Sequence, residues 1–287
     1  MSMIKTSNET QWSGLITTLM NGNKTVAAIA PVLGLGRKFI HGPFQFQVRL
    51  ALGCDYEIHA SPDLQNWTTL DSGTSSSETV DYLDSYAPKF SYRFYRAICG
   101  ELISKNVIGY ASLRLPPGFS MIANPFHCAA NSVADLLLEM PNGTTLCKFD
   151  PTLFRLTNNS VKNGEWTNPT ETLTPGEGAI FFNPTPNFKM LNFAGEISQG
   201  QLSNPMPAGL SIRSSLAPQR GRLHSDLGFP ITEGDVVHIF DRELQKYTLY
   251  PYSAEAWERN PPAVSIGESF WISKTQPGNW VRDFVVR

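Results

Sequence analysis

Gly118-Phe119-Ser120-Met121 returns as Gly209-Leu210-Ser211-Ile212, a shift of 209 − 118 = 91 residues. The same shift of 91 carries Asp135-Leu136 onto Asp226-Leu227, Gly143 onto Gly234 and Phe149-Asp150 onto Phe240-Asp241. It also carries Trp166 onto Trp257, Gly176-Glu177 onto Gly267-Glu268 and Phe193 onto Phe284, and no gap is needed anywhere. A period of this length exceeds any solenoid unit, so it reads as two tandem copies of a small domain. Positions held in both copies are those the module's fold needs. Function is to be sought where the copies differ.

Each copy shares one internal plan. An apolar strand opens it (Phe119 to Ala123; Leu210 to Ser214), followed by a short Asp-Leu segment of a helical turn or two, with Ser132 and Ser225 as N-caps. An Asn-Gly or Glu-Gly turn then leads to two strands carrying Phe149-Asp150 or Phe240-Asp241, and a loop holds Trp166 or Trp257. Runs that are apolar on both faces, Ala179 to Phe182 and Phe270 to Ile272, read as fully buried central strands. Upstream, Phe44, Phe46 and Val48 alternate with Gln45, Gln47 and Arg49, a period-two amphipathic strand. The fold expected is all-β: an arm or degenerate export signal over 1–36, a sandwich over 37–106, and β-rich modules over 107–201 and 202–287.

Composition agrees. The 287 residues are 41% hydrophobic, enough for proper cores. Gly (22) and Pro (21) punctuate short apolar runs, the texture of strands and turns. Charged residues are only 17% and the formal net charge is −2, which argues against a nucleic-acid partner. No apolar run reaches the 18 residues of a membrane span. Thr25 to Leu35 has the length of a signal-peptide hydrophobic region, yet Pro31 and Arg37-Lys38 fit one poorly.

Four cysteines allow three pairings, and only Cys54–Cys99 with Cys128–Cys147 stays within domains. The equivalents of Cys128 and Cys147 in the second copy are Gln219 and His238, so both are absent together. Joint absence suits a dispensable disulfide and an oxidising compartment. Four unrelated buried thiols remain the other reading.

The run Tyr56-Glu57-Ile58-His59-Ala60-Ser61-Pro62-Asp63-Leu64-Gln65-Asn66-Trp67, closed by Arg93-Phe94-Tyr95-Arg96, resembles the small fibronectin-type-III-like sandwich of exported proteins from Verrucomicrobia and related bacteria. The series Gly118-Phe119-Ser120, Ile122-Ala123-Asn124-Pro125 and Pro175-Gly176-Glu177-Gly178 resembles tandem C-terminal modules of bacterial surface and secreted proteins. The second copy departs from it at Arg213-Ser214-Ser215 and Ser269. These resemblances imply an extracellular or cell-surface bacterial protein and no particular activity.

Catalytic signatures are missing: there is no G-x-S-x-G, no phosphate loop, no H-E-x-x-H and no dinucleotide fingerprint. His224-Ser225-Asp226 has the residue types of a hydrolase triad, but adjacent side chains diverge. Glu177 and Glu268 are matched carboxylates that could meet across the modules for acid–base work, with His238 as a further candidate base. The same two acids also suit local turn capping. Asp150 and Asp241 open turns after a strand, where aspartate caps local amides. With Asp81 and Asp84 they are also candidate Ca²⁺ ligands, and otherwise no cofactor is expected. Trp166 and Trp257 sit in polar loops, and Tyr247, Tyr250 and Tyr252 lie near the second. Exposed, such rings would stack on sugars; folded back, each tryptophan would cap its own module's core.

The expectation is a non-catalytic exported or surface-associated binding and structural protein, with a polysaccharide or surface polymer as partner. The alternative is a hydrolase of esters, lactones or glycosides with a carboxylate-lined, Ca²⁺-dependent site between the modules.

Overall fold

The computed structural model describes residues 29–36, 38–128 and 130–286, and these are nearly all strand. Most of the expected arm, residues 1–28, lies outside the described residues. Its far end does not behave as an arm: β1 (Val32–Gly34) is laid antiparallel on β2 (Phe44–Arg49). The first unit continues through β3 (Asp55–Ser61), β4 (Thr68–Thr74), β5 (Thr79–Asp84), β6 (Tyr92–Cys99), β7 (Leu102–Ile103) and β8 (Ile108–Leu115).

The first tandem module contains β9 (Gly118–Ile122), α1 (Val133–Leu136), β10 (Thr145–Asp150), β11 (Arg155–Lys162), β12 (Glu165–Trp166), β13 (Ala179–Asn183) and β14 (Lys189–Glu196). The second contains β15 (Gly200–Met206), β16 (Gly209–Arg213), β17 (Gly221–Arg222), β18 (Val236–Asp241) and β19 (Lys246–Ser253). It closes with β20 (Ala256–Trp257), β21 (Ala263–Val264), β22 (Phe270–Lys274) and β23 (Gly278–Phe284).

The sheet β1-β2-β5 packs against the sheet β14-β8-β6-β3-β4. The alternation read from Phe44, Phe46 and Val48 puts these three into the core between them, with Ile58, Tyr95 and Tyr110 opposite. The boundary expected at 106/107 cuts this second sheet, because β8 and β14 both come from beyond it. A single strand can serve two cores because its side chains alternate. Ile108 and Tyr110 of β8 enter the sandwich core, while Ala111, Leu113 and Leu115 enter that of the first module.

The repeat is visible residue by residue. The five-stranded sheets β12-β11-β10-β13-β9 and β20-β19-β18-β22-β16 have the same order. Their registers coincide too: Ala179 pairs with Ile122, and Phe270 pairs with Arg213, each number raised by 91. The modules then exchange equivalent contacts. Ala123 N–H donates to Gly267 O at 2.8 Å, and Ser214 N–H donates to Gly176 O at 3.0 Å. The paired bridges Ile122–Glu268 and Glu177–Arg213 are likewise reciprocal. Contacts of the form i to j and j to i are those of an isologous interface, so the copies face each other across a pseudo-twofold axis.

Near the axis packing is tight: a Cβ on Gly178 would stand 2.4 Å from Ile212 Cγ2 and from Ser269 Cβ. That requirement accounts for glycine at the position where the second copy has Ser269.

Three departures from symmetry stand out. Ser132 caps α1 as expected, its hydroxyl accepting from Asp135 N–H. Ser225 caps no helix: its hydroxyl donates to Asp226 within a turn. Secondly, β8 joins β6, whereas among the described residues its equivalent β15 pairs with β23 alone, and Gln201 stands where Tyr110 fills the sandwich core. Finally, Asp235 and Lys274 form a fully buried ion pair where the first module has Thr144 and Asn183.

Candidate functional site

The β10–β11 and β18–β19 hairpins set the geometry of the seam between modules. Strand parity puts Leu146 and Val237 into their module cores and turns Phe149 and Phe240 to the other face. Phe149 is in register with Leu156, and Phe240 with Tyr247. Across the seam the Trp271 ring meets Phe149 edge-on at 4.9 Å, and Trp271 Nε1 donates to Tyr247 OH at 3.1 Å. Phe154 stacks edge-on against Phe149 at 5.5 Å, and Phe240 lies 4.8 Å from Tyr247. Phe119 and Phe182 add a fourth ring pair, at 4.9 Å.

Much of this cluster is wet. Phe154 is 70% exposed, Leu244 62% and Tyr247 40%, with Leu153, Leu156, Leu249 and Phe119 exposed beside them. Exposed apolar side chains gathered on one face mark an interaction surface, whereas scattered ones do not. The turns that present them are built alike: Asp150 Oδ1 accepts from Thr152 and Leu153 N–H, and Asp241 Oδ1 accepts from Glu243 and Leu244 N–H. Phe154 and Gln245 then take the left-handed conformation, φ 48° and 52°, that closes such a loop.

The carboxylates proposed for chemistry are already committed. Glu177 Oε2 accepts from Thr174 N–H at 2.8 Å and from Lys148 Nζ at 3.1 Å. Glu268 Oε2 accepts from Ser265 N–H at 2.9 Å, and its Oε1 pairs with Arg242. Each acid therefore closes its own turn and binds a cation of its own module, so the two do not form an acid–base pair. Asp150 and Asp241 cap their hairpin turns. Asp81 accepts from Gln47 Nε2, while buried Asp84 accepts from Tyr86 N–H, Arg93 Nη1 and Tyr95 OH. Among the described residues no three His, Cys, Asp or Glu side chains converge as metal ligands.

His238 lies between Trp271 and Leu249 in the ladder, and burial pushes its imidazole below the ordinary value. It has no hydrogen-bonded carboxylate among the described residues. His224 Nδ1 meets Phe229 O, away from Ser225, so His224-Ser225-Asp226 is not a triad.

The loop tryptophans do not form a platform. Trp166 is buried, its Nε1 donating to Leu137 O at 3.2 Å. Trp257 is half-buried, edge-on to Tyr252 at 5.3 Å. Tyr250 and Tyr252 point to the opposite side of β19 from Tyr247, so the tyrosine cluster is split by parity. Cys54 and Cys99 form a disulfide between the sandwich strands, as one pairing required. The second pairing is not made: Cys128 and Cys147 are separate thiols, and burial raises the pKa of both.

Phe154, Trp271 and Gln245 were not singled out by the sequence. The signal for the first and last was present, since the gapless shift sets Phe154 opposite Gln245 as one of the places where the copies differ. No known protein family matches the chain, and no curated protein or solved structure matches it.

Proposed function

We propose that this chain is a non-catalytic binding and structural protein, exported or surface-associated as the resemblances imply, that holds a polymer at the aromatic seam between its tandem modules. The observation that carries this reading is the Phe154–Phe149–Trp271–Tyr247 cluster, exposed at Phe154 and Tyr247 and half-buried between them, with exposed leucines beside it. The two modules hold each other by paired backbone hydrogen bonds beneath these rings, so the surface is built before a partner arrives. The engagement of Glu177 and Glu268 in their own turns weighs against the hydrolase alternative.

The test has two arms. Retention on a panel of insoluble polysaccharides and on immobilised extended polypeptides is compared for the protein and its Phe154→Ser/Tyr247→Ala variant. Turnover of ester, lactone and glycoside panels is measured with and without chelator. Retention lost in the variant, with no turnover, is expected. Turnover that disappears on Glu268→Gln would overturn the proposal.

A further inference from the structure

The two copies differ in how the outer edge of the five-stranded sheet is finished. In the first module the edge strand is β9, and the side chain of Gln245 reaches across the seam to close it. Phe119 N–H donates to Gln245 Oε1 at 2.8 Å, and Gln245 Nε2 donates to Phe119 O at 2.8 Å. The amide thus acts as one residue of an added strand. Its fit is close, since a Cβ on Gly118 would stand 2.7 Å from Gln245 Oε1.

The second module repeats this edge without the amide. Leu210 is the equivalent of Phe119, and β16 pairs with β22 in the register by which β9 pairs with β13. Identical register turns the Leu210 N–H and C=O outward as well. Phe154 stands where Gln245 stands in the other copy, and a phenyl ring can neither donate nor accept. A Cβ on Gly209, the equivalent of Gly118, meets nothing within 4 Å. Beside this edge lie the exposed ring of Phe154 and the Phe149–Trp271 pair.

Resting on the binding reading above, we infer that the Leu210 edge of β16 takes an extended segment of a partner polypeptide, hydrogen-bonded through its backbone and packed by an apolar side chain on Phe154. A peptide unit offers the donor and acceptor that Gln245 offers to Phe119, and strand addition to an open edge is an established mode of peptide capture. Each chain then holds one segment, because Gln245 closes the other edge.

The experiment pans a phage-displayed library of random dodecapeptides on the whole protein. The tightest peptide is synthesised, together with its single-position N-methyl series. Phe154→Gln is expected to copy the Gln245 clamp onto Leu210 and weaken that peptide at least tenfold, leaving the melting temperature no lower. N-methylation at the residue facing Leu210 is expected to weaken it similarly. Gln245→Phe is expected to open a second site and raise the stoichiometry from one to two.

A selection that enriches nothing overturns the inference, as does a peptide indifferent both to Phe154→Gln and to every N-methyl group. Retention of polysaccharide at the seam, lost in Phe154→Ser, would uphold the binding reading and overturn the polypeptide.

Discussion

Replacing Lys274 by methionine isolates a buried ion pair that the second copy has and the first lacks. Lys274 Nζ pairs with Asp235 where both side chains are almost wholly buried, and it also donates to Pro230 O at 2.8 Å and Thr232 Oγ1 at 3.1 Å. The variant leaves the Asp235 carboxylate buried with only the Thr232 and Thr275 donors. Removing one partner of a buried pair costs about 3–5 kcal/mol, because the remaining charge stays desolvated.

The pH dependence follows from the same contacts. Burial raises the Asp235 carboxyl, but hydrogen bonds from Lys274, Thr275 and Thr232 outweigh it, and the net pKa lies below the ordinary aspartate value. A depressed folded pKa adds stability above the unfolded pKa, which is lost as pH falls through the folded one. The penalty of Lys274→Met should therefore be largest at neutral pH and shrink in acid, where Asp235 protonates. Guanidinium unfolding followed by tryptophan fluorescence reads this directly, since Trp280 sits in the same module's core.

The first module shows a neutral solution at the same sites, so Asp235→Thr with Lys274→Asn should recover more than half of the loss. A single-variant cost under about 1 kcal/mol, or a double variant as unstable as the single one at every pH, would refute the reasoning.

Two further outcomes are expected. Thiol titration of the unfolded, unreduced protein should count two free cysteines, and four after reduction; loss of the 54–99 bridge, with its sequence separation of 45, should cost about 4 kcal/mol in chemical unfolding. Trp166→Phe removes the indole's bond to Leu137 O and should cost about 1 kcal/mol of stability, measured by thermal unfolding, with polymer retention unchanged.

Much of this architecture could be read from local patterns. The alternation at Phe44 to Arg49 and the constant 91-residue shift each report backbone geometry, which depends on near neighbours and so leaves a periodic trace. The turn roles of Asp150 and Asp241 were legible for the same reason, because an aspartate reaches amides two and three residues ahead of it. The apolar run at Ala179 to Phe182 is central in its sheet as read but not buried on both faces: Ala179 and Phe181 are buried, whereas Ile180 and Phe182 are half-buried on the other face.

The sequence left the loop tryptophans two readings, an exposed platform or a cap on their own module's core, and the structure takes the second. Trp166 and Trp257 occupy polar segments, yet their rings fold back onto their own modules, because burying an indole outweighs the polarity of the loop that carries it. The sharing of β8 between two cores was hidden for a related reason, since strand pairing links residues far apart in the chain.

By itself, then, the amino-acid sequence determined that the protein is all-β, that its last two modules are copies, and which residues turn the chain. Tertiary structure alone decided that the copies face each other, that Glu177 and Glu268 serve their own turns, and that Phe154 and Gln245 finish equivalent edges differently. The physical reason is that turns and strand periods arise from contacts a few residues apart. A seam between two sheets is made by side chains 90 or 126 positions distant, such as Ser269 against Ala179 and Gln245 against Phe119, whose meeting no local pattern records.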